Sequence, residues 1–239
     1  MKNIAFCTSI TALLILGNCN SQAQEVTIRK NLPERIPQLQ KIDEVSKTPI
    51  NGLYEVRVNG TDIYYTDADA NYLLQGSLID TKQRRNLTEE RMDKLTAIAF
   101  DKLPFNDAFT TVRGNGKRKI AVFEDPNCGY CKRFEKDLQK VDNVTVYMFL
   151  YPILGPDSVE KSKNIWCSKD KNKTWQDWML QNQIPKLANC ESAAIQRNVE
   201  VGHKFKITGT PTLIFQDGSR VPGAIDAAQI EKRLMQPSS

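Results

Sequence analysis

Two cysteines separated by two residues, Cys128 and Cys131, come shortly after the apolar run Ile120 to Phe123. The run is typical of a buried strand and the pattern after the cysteines is helical, so both thiols are predicted at a helix start. Cys128 would lie nearest the unpaired backbone N–H groups and the positive end of the helix dipole, which favour its thiolate. Cys131 would lie one turn deeper on the same face. We expect Cys128 to attack a foreign disulfide and Cys131 to release it.

A Cys-x-x-Cys pair can also be half of a zinc site, which requires two further ligands at comparable spacing. The chain has a single histidine, His203, and no second Cys-x-x-Cys. The sequence therefore favours a redox pair, and neither a metal nor another cofactor is expected. His203 stands in a charged helical stretch and thiolate exchange needs no histidine, so no role is assigned to it.

Residues 1–23 are predicted to be a secretory signal peptide. Lys2 precedes the apolar run Ile10 to Leu16, which is too short to span a membrane, and the small and polar residues ending at Ala23 fit an Ala-x-Ala-like cleavage site. We expect cleavage after Ala23. The alternative is lipidation of Cys19, although the asparagine before it fits a lipobox poorly.

Four cysteines remain after this cleavage, which in an exported protein indicates an oxidising compartment. Four cysteines can pair in three ways, and the favoured scheme joins Cys128 to Cys131 and Cys167 to Cys190. The second pair would be structural and would add about 3 kcal/mol to the free energy of unfolding in the chain-entropy model. The alternative, a catalytic Cys167 or Cys190, has no short dithiol motif in its favour.

The chain carries 33 basic and 28 acidic side chains, interspersed and without a long Lys/Arg block. This mild excess gives no support to binding of nucleic acid or of a membrane surface, and no nucleic-acid partner is expected. A length of 239 residues allows one large domain or two small ones, and the pattern along the chain favours two.

Residues 24–51 carry a weak helical pattern, centred on Leu39 to Val45. From Leu53 the apolar period changes to two, Asn59-Gly60 predicts a hairpin, and a third strand is predicted at Asn71 to Leu74. So small a meander would be marginal alone. Its apolar face is predicted to pack either on the chain's own second domain or on another copy of itself.

Asn86 and Glu89 have the spacing of a capping box, which predicts a helix that stops at Pro104. We interpret residues 86–104 as a helix linking two domains, and the alternative is a plain surface helix. A later helical region, residues 155–183, contains three tryptophans that are predicted to lie in the core rather than in a ligand site.

Pro211 stands directly before a predicted strand and follows Thr210. A proline there favours the cis peptide and leaves a backbone edge open, whereas the alternative is an ordinary trans proline in a turn. The order of elements is strand, dithiol helix, strand, helices, Thr-Pro, strand and helix, which is the thioredoxin plan. The predicted fold is therefore mixed, with an α+β N-terminal part and an α/β thioredoxin-like C-terminal part.

These motifs together resemble the DsbC family of periplasmic disulfide isomerases of Gram-negative bacteria, within the thioredoxin superfamily. The resemblance covers nearly all of the mature chain. It rests on Cys128-Gly129-Tyr130-Cys131, Ile165 to Lys173, Gly209-Thr210-Pro211, Val221-Pro222-Gly223 and the meander with its helix. Gly-Tyr between the cysteines separates the chain from the DsbA oxidases, which usually carry Pro-His, and from DsbG, which usually carries Pro-Tyr.

The resemblance implies a small cystatin-like dimerisation domain at residues 24–85, the linker helix at 86–104, and a thioredoxin-like domain with a helical insertion at 105–239. Paired meanders would join two protomers into a V-shaped homodimer. Misfolded, disulfide-containing exported proteins would bind in its uncharged cleft, with chaperone-like effect, and a DsbD-like membrane reductase would keep the dithiol reduced.

The same resemblance implies roles for individual residues: Cys128 as nucleophile, Cys131 as resolving thiol, Thr210 and Pro211 as the cis-proline loop that binds substrate with Gly129 and Tyr130, and Cys167 with Cys190 as the structural disulfide. The chain departs from the thioredoxin pattern at Val122, where a buried carboxylate often stands. Glu124 and Asp125 are the nearby candidates for a proton relay, and the alternative is that these strand-end acids are solvated.

The implied activity is isomerisation of wrong disulfides in exported proteins. One rival is a net thiol oxidase or reductase of the DsbA or DsbG kind, which would differ in its reduction potential. The other is a holdase chaperone whose thiols are dispensable.

Overall fold

The computed structural model describes residues 16–235, with side chains from residue 22 onward. Residues 1–15 of the predicted signal peptide lie outside the described residues, and cleavage after Ala23 stays a prediction. The chain divides between Leu95 and Thr96 into two compact units, called unit 1 and unit 2 below. No helix in the described part of the chain is both long enough and apolar enough to cross a membrane.

Unit 1 is a helix packed on an antiparallel sheet with strand order β1-β2-β3-β4. Its elements are α1 (Leu16–Arg35), β1 (Ile42–Lys47), β2 (Leu53–Val58), β3 (Asp62–Asp67), β4 (Leu73–Leu74), β5 (Ile79–Asp80), β6 (Arg85–Asn86) and α2 (Leu87–Thr96), which ends at the boundary. A single-turn helix lies at Pro37–Leu39, and β5 and β6 form a separate ribbon.

The hairpin predicted at Asn59-Gly60 is confirmed. Both residues have positive φ, 54° and 90°, and β2 pairs with β3 on either side, with Val58 opposite Asp62, so the connecting loop is residues 59–61. Side chains along β2 alternate between buried and half-buried, because successive strand residues point to opposite faces. The buried ones form the core of unit 1 with α1: Ile28, Leu32, Leu39, Tyr54, Val56, Val58 and Ala70.

Two predictions for unit 1 are wrong in detail. The spacing of residues 39–45 indicated a helix, but β1 occupies most of this stretch and pairs with β2, since backbone pairing with a neighbouring strand outweighs a weak helical spacing. The third strand, predicted over Asn71 to Leu74, contains only two residues. The Asp67 carboxylate accepts the backbone N–H of Tyr72 at 2.9 Å and keeps that residue in the preceding turn.

The helix predicted over residues 86–104 is also shorter. Its start is as expected, because the Asn86 side chain accepts the backbone N–H of Glu89 at 3.1 Å, but α2 ends at Thr96. Beyond that point the backbone N–H of Ile98 donates to the carbonyl oxygen of Gly218 at 2.9 Å. This hydrogen bond connects Ile98 to the turn at Gly218, and the backbone between α2 and Ile98 is not helical.

Unit 2 contains a mixed sheet with strand order β11-β10-β8-β9-β7, in which β8 and β9 are parallel and the other pairs antiparallel. Its elements are β7 (Phe109–Arg113), β8 (Arg118–Glu124), α3 (Gly129–Leu138), β9 (Val144–Leu150), α4 (Pro156–Trp166), α5 (Lys171–Gln181), α6 (Ala193–Lys204), β10 (Thr212–Phe215), β11 (Arg220–Pro222) and α7 (Ala227–Leu234). Single-turn helices lie at Phe100–Lys102 and Phe105–Asp107.

Strand β8 is central, and its residues from Ile120 to Glu124 are fully buried. Ile120 and Val122 belong to one hydrophobic cluster with Cys131 and Phe134 of α3, whereas Ala121 and Phe123 belong to the cluster on the other face. The dithiol helix therefore lies against one face of the strand that leads into it.

The helical region predicted over residues 155–183 is two helices. Asp170 interrupts it as the N-cap of α5, with its carboxylate accepting the backbone N–H of Lys173 at 2.9 Å. Just before this break, Cys167 is disulfide-bonded to Cys190, which is the pairing that the sequence favoured. The three tryptophans of the region belong to the main core of unit 2 or pack against it, as predicted.

Candidate active site

The dithiol lies where β8 ends and α3 begins. Cys128 is the N-cap residue of α3, and its sulfur accepts the backbone N–H of Cys131 at 3.2 Å. An N-cap acceptor satisfies one of the free N–H groups in the first helical turn, a position that an oxygen usually takes. Because these N–H groups and the helix dipole favour negative charge, this end of α3 stabilises a thiolate at Cys128.

The two sulfurs differ in access to solvent. Cys128 is 5% exposed and Cys131 is 0% exposed, while Gly129 and Tyr130 between them are exposed. A second protein can therefore reach only the outer sulfur without a rearrangement. This arrangement fits an attacking Cys128, a resolving Cys131 and a substrate contact at Gly129 and Tyr130.

The pKa values of the two thiols are shifted in opposite directions. The Cys131 side chain, hydrogen-bonded to the Cys128 sulfur, makes the largest contribution in lowering the pKa of Cys128; burial opposes it, and Thr210 and nearby backbone N–H groups lower it further, to about 6. Burial raises the pKa of Cys131, and the hydrogen bond to Cys128 and the charge of Glu124 raise it more. At neutral pH the outer sulfur is mostly thiolate and the inner one is a thiol.

The loop before β10 brings Thr210 and Pro211 against the dithiol. The peptide bond between them is cis, and the Cys128 thiol can donate to the backbone carbonyl of Thr210 at 3.2 Å. Two interactions hold the loop there. Strand β10 pairs antiparallel with β8, and the backbone N–H of Gly223, just after β11, donates to the Pro211 carbonyl at 2.7 Å.

Asp125 is fully buried and fastens the dithiol loop to the segment after β9. Its carboxylate accepts the backbone N–H groups of Asn127 at 2.8 Å, Ile153 at 2.8 Å and Leu154 at 2.9 Å, and the hydroxyl of Ser158 at 2.7 Å. Four donors satisfy both oxygens of this buried carboxylate, so Asp125 sets the position of the loop that carries Cys128.

Glu124 is also fully buried, so neither strand-end acid is solvated. Among the residues that the structure describes, neither Glu124 carboxylate oxygen has a hydrogen-bond partner. Burial raises the pKa of Glu124 well above its ordinary value, and the charges of Glu135 and Cys128 raise it further. A carboxyl group that holds its proton this strongly lies beside the dithiol.

Sequence reasoning missed the contact of Trp178 with the dithiol loop. Its indole N–H donates to the carbonyl of Pro126 at 2.6 Å, and the ammonium groups of Lys132 and Lys161 lie 3.9 and 5.0 Å from its ring centroid. The spacing of the tryptophans predicts packing, but no local signal shows that a side chain of α5 contacts a residue 52 positions earlier.

In residues 16–235 no cluster of three or more His, Cys, Asp or Glu side chains has a metal-binding arrangement. His203 lies exposed in the last turn of α6. Cys167 and Cys190 contribute no free thiol, since they form the disulfide.

Comparisons with known families match both parts of the chain. Residues 105–236 match the family described as thioredoxin-like domain, and residues 19–89 match the disulfide bond isomerase protein N-terminal domain. The first match covers the dithiol, the cis-proline loop and the disulfide. The second covers the sheet of unit 1.

Curated relatives are similar over most of the chain. A probable thiol:disulfide interchange protein DsbC from Bordetella parapertussis is 46% identical over 193 residues, which is 81% of this chain and 68% of that protein. The thiol:disulfide interchange protein DsbC of Escherichia coli K12 is 30% identical over 190 residues, 77% of each chain. The crystal structure of a disulfide interchange protein from Neisseria gonorrhoeae has 38% identity and a TM-score of 0.53, covering 55% of this chain and 96% of that one.

Proposed function

The chain belongs to the DsbC family of thiol:disulfide interchange proteins, and from that premise we propose that it is a protein disulfide isomerase acting through Cys128 and Cys131. Thiol-disulfide oxidoreductase activity follows from membership of the family. The proposed isomerase activity rests on the difference in pKa and burial between the two sulfurs. The outer one has a pKa of about 6 at a helix N-terminus, and the inner one is a buried thiol.

The first step is attack by the Cys128 thiolate on a non-native disulfide of a client. The Cys128 sulfur forms a bond to one client sulfur, the client S–S bond breaks, and the other client sulfur leaves as a thiolate. That thiolate attacks another disulfide of the client, and a client thiolate finally displaces Cys128. No electrons are gained or lost overall, so the result is isomerisation.

Cys131 acts when the client does not rearrange its disulfides. Cys131, once deprotonated, attacks the Cys128 sulfur, closes the Cys128–Cys131 disulfide and releases the client with one more thiol pair. The protein dithiol is then oxidised by two electrons and the client is reduced by two. A DsbD-like membrane reductase would return the dithiol to its reduced form.

The backbone edge at Thr210–Pro211 would bind the client strand, with Gly129 and Tyr130 forming the other side of the site. The Thr210 carbonyl lies 3.2 Å from the Cys128 sulfur, so a client strand paired there would bring its own sulfur close to Cys128. Main-chain pairing accepts many sequences, which suits an enzyme whose clients are misfolded proteins.

The proposed site of action is the periplasm of a Gram-negative bacterium, reached through the signal peptide at residues 1–23. The disulfide between Cys167 and Cys190 fits an oxidising compartment. An isomerase needs a reduced dithiol in that same compartment, and this is why a dedicated reductase is part of the proposal.

Unit 1 would form the homodimer contact. Strand β4 is an edge of its sheet; Leu74 in this strand is 56% exposed, and Tyr72, just before it, is 75% exposed. An exposed apolar strand edge favours pairing with another chain. Gel filtration of residues 24–239 should give a dimer and Leu74→Lys should weaken it, whereas a monomeric wild-type chain would contradict this part of the proposal.

Two assays side by side test the enzymatic proposal: reactivation of scrambled ribonuclease and reduction of insulin. Cys128→Ser should remove both activities, and full ribonuclease reactivation by this variant would overturn the proposal. Cys131→Ser should lose insulin reduction and accumulate mixed disulfides, because the client can leave only through its own thiols.

The outcome also separates the rivals. Insulin reduction without ribonuclease reactivation would make the protein a net reductase. Suppressed aggregation of a thiol-free client by the Cys128→Ser/Cys131→Ser variant would show chaperone-like binding independent of the dithiol, and a holdase is the better description only if ribonuclease reactivation is absent.

A further inference from the structure

The four residues before α3 form a tight turn that ends at Cys128. The backbone N–H of Cys128 donates to the Asp125 carbonyl at 3.0 Å, so Pro126 and Asn127 are the two central residues of a β-turn. Asn127 does not have the positive φ that a type II turn requires at this position, so the turn follows the type I course. Cys128 then begins the helix as its N-cap. The placement of the nucleophile therefore depends on this turn.

The sequence of this turn permits two forms. Proline at the first central position suits both type I and type II turns, and asparagine at the second tolerates the positive φ of type II better than most residues. The two forms differ in the orientation of the central peptide group, here the one between Pro126 and Asn127. A change from one form to the other turns the carbonyl oxygen and the N–H of that group to opposite sides. The surroundings of this peptide group therefore decide which form the turn takes.

Side chains hold both ends of the central peptide group. Trp178 of α5 donates its indole N–H to the Pro126 carbonyl at 2.6 Å, and the backbone N–H of Asn127 donates to the Asp125 carboxylate at 2.8 Å. The C=O and N–H of a trans peptide point in opposite directions. A flipped peptide would lose both hydrogen bonds and would direct the Pro126 oxygen toward the buried Asp125 carboxylate, which is unfavourable. Trp178 and Asp125 thus stabilise the same form of the turn from opposite sides.

The helices that flank the dithiol fix the ring of Trp178. The ring packs against the main core cluster of unit 2, and the ammonium groups of Lys132 on α3 and Lys161 on α4 lie 3.9 and 5.0 Å from its centroid. The Lys132 ammonium also donates to the side-chain carbonyl of Asn182, just after α5, at 2.6 Å. Contacts to three helices therefore hold the indole N–H in its direction toward the turn.

We propose that Trp178 is a positioning residue for the nucleophile, and this rests on the function proposed above. Its indole N–H keeps the turn in the form that places the Cys128 sulfur at the N-terminus of α3. The sulfur accepts the Cys131 N–H at 3.2 Å while Cys128 holds its N-cap position. Without the indole N–H the turn takes both forms, and the cap hydrogen bond forms for only part of the time. The thiolate of Cys128 is then less stabilised.

Trp178→Phe removes the indole N–H and keeps an aromatic ring against the core. The pH dependence of iodoacetamide labelling at Cys128, followed by mass spectrometry in the full-length protein with its dithiol reduced, measures the stability of the thiolate. The midpoint should rise from about 6 in the wild type by about half a pH unit in the variant. Labelling at pH 6 should therefore slow about twofold, whereas the rates above pH 8 should be nearly equal.

Trp175→Phe is the matched control, because Trp175 lies on the same helix and its indole N–H also donates to a buried acceptor. That acceptor is the Glu135 carboxylate of α3, at 2.8 Å, and not the turn. Both variants lose one indole hydrogen bond, and circular dichroism gives the temperature range in which each is folded. Trp175→Phe should keep the wild-type midpoint at Cys128. A wild-type midpoint in Trp178→Phe, or equal shifts in both variants, would overturn the proposal.

Substitutions at Asn127 test the same turn with Trp178 in place. Glycine favours the positive φ of a type II turn, whereas alanine does not. Asn127→Gly and Asn127→Ala both remove the side-chain hydrogen bonds to Asp157 at 2.7 Å and Ser158 at 3.0 Å, so the difference between the two variants reports the form of the turn. The Cys128 midpoint should be higher in Asn127→Gly than in Asn127→Ala. Equal midpoints would contradict the proposal even if Trp178→Phe does not fold.

Ribonuclease reactivation separates the role of Trp178 from the function proposed above. No reactivation by the wild-type protein would contradict the isomerase activity itself, whatever the labelling midpoints are. Reactivation by the wild type together with equal midpoints in wild type and Trp178→Phe would leave the isomerase activity in place and remove the role of Trp178. If Trp178 positions Cys128, Trp178→Phe should lose a larger part of the wild-type reactivation rate at pH 6 than at pH 8, because the thiolate fraction differs only near the midpoint.

Discussion

In each of the two cysteine pairs of unit 2, one cysteine caps a helix, and the two caps are at opposite helix ends. Cys128 is the N-cap of α3, where its sulfur accepts the backbone N–H of Cys131, whereas Cys167 is the C-cap of α4, where its own N–H is bonded to the Lys163 carbonyl. One pair is free and separated by three positions; the other is a disulfide separated by 23.

Helix polarity makes these pairs suited to different tasks. The positive end of α3 stabilises a thiolate and so favours the reduced dithiol, in which a sulfur can attack. The negative end of α4 disfavours a thiolate at Cys167, so reduction of that disulfide is less favourable. The same residue type therefore provides chemistry at one helix end and cross-linking at another.

The largest expected effect separates the pairs by activity. Cys128→Ser should reduce ribonuclease reactivation to the uncatalysed rate, whereas Cys167→Ser/Cys190→Ser should retain most of it at a temperature where the variant is folded. Initial rates with the two purified proteins would show this. If the double variant were as inactive as Cys128→Ser, the division into a reactive and a structural pair would be wrong.

The second prediction concerns stability. Loss of the Cys167–Cys190 cross-link should lower the free energy of unfolding of unit 2 by about 3 kcal/mol, because the unfolded chain regains loop entropy. Urea unfolding of the double serine variant against wild type, followed by tryptophan fluorescence, measures the difference. Reducing only Cys128 and Cys131 in the wild type serves as the control, and an equal loss there would contradict the assignment.

The third prediction compares single thiols. Alkylation of Cys128 should show a pH midpoint of about 6 instead of the ordinary 9.0, because the Cys131 side chain and nearby N–H groups favour its thiolate. Cys167 in a Cys190→Ser variant should react only at higher pH, since α4 ends there. Rates of iodoacetamide labelling located by mass spectrometry would decide. Equal midpoints would remove helix polarity as the explanation.

The smallest expected effect is on how the free energy of unfolding changes with pH. The folded state keeps the proton on the buried carboxyl group of Glu124 at pH values above its ordinary pKa of 4.5. Its contribution to stability is fully present below pH 4.5 and is lost as pH rises toward the higher pKa of the folded state. Glu124→Gln should therefore lose less stability than wild type over that range. Urea unfolding at a series of pH values measures this, and parallel curves would contradict it.

Local patterns were sufficient for much of the fold. Asn59-Gly60 predicts its turn because asparagine and glycine are among the few residue types that readily adopt the positive φ found at both positions. Cys128 and Cys131 were identifiable because a strand that runs into a helix is recognisable in a short window of sequence. Thr210-Pro211 was identifiable for the same reason, as a proline before a strand.

Features that depend on distant partners were not predictable. Residues 42–47 form strand β1 instead of the predicted helix because they pair with the backbone of β2. Helix α2 is shorter than predicted, and beyond its end the backbone N–H of Ile98 is hydrogen-bonded to the Gly218 carbonyl. Glu124 is fully buried at the end of β8, which the residue type argues against. Trp178 reaches the dithiol loop only because α5 folds back toward it.

The four bonds of Asp125 affect how this chemistry could be moved to another protein. Three of its four donors belong to the segment from Ile153 to Ser158, outside the dithiol stretch. A graft of Cys128 to Cys131 alone would leave the loop without its anchor. The smallest transplantable unit is therefore a pair of segments joined by one carboxylate, and both would have to be copied together.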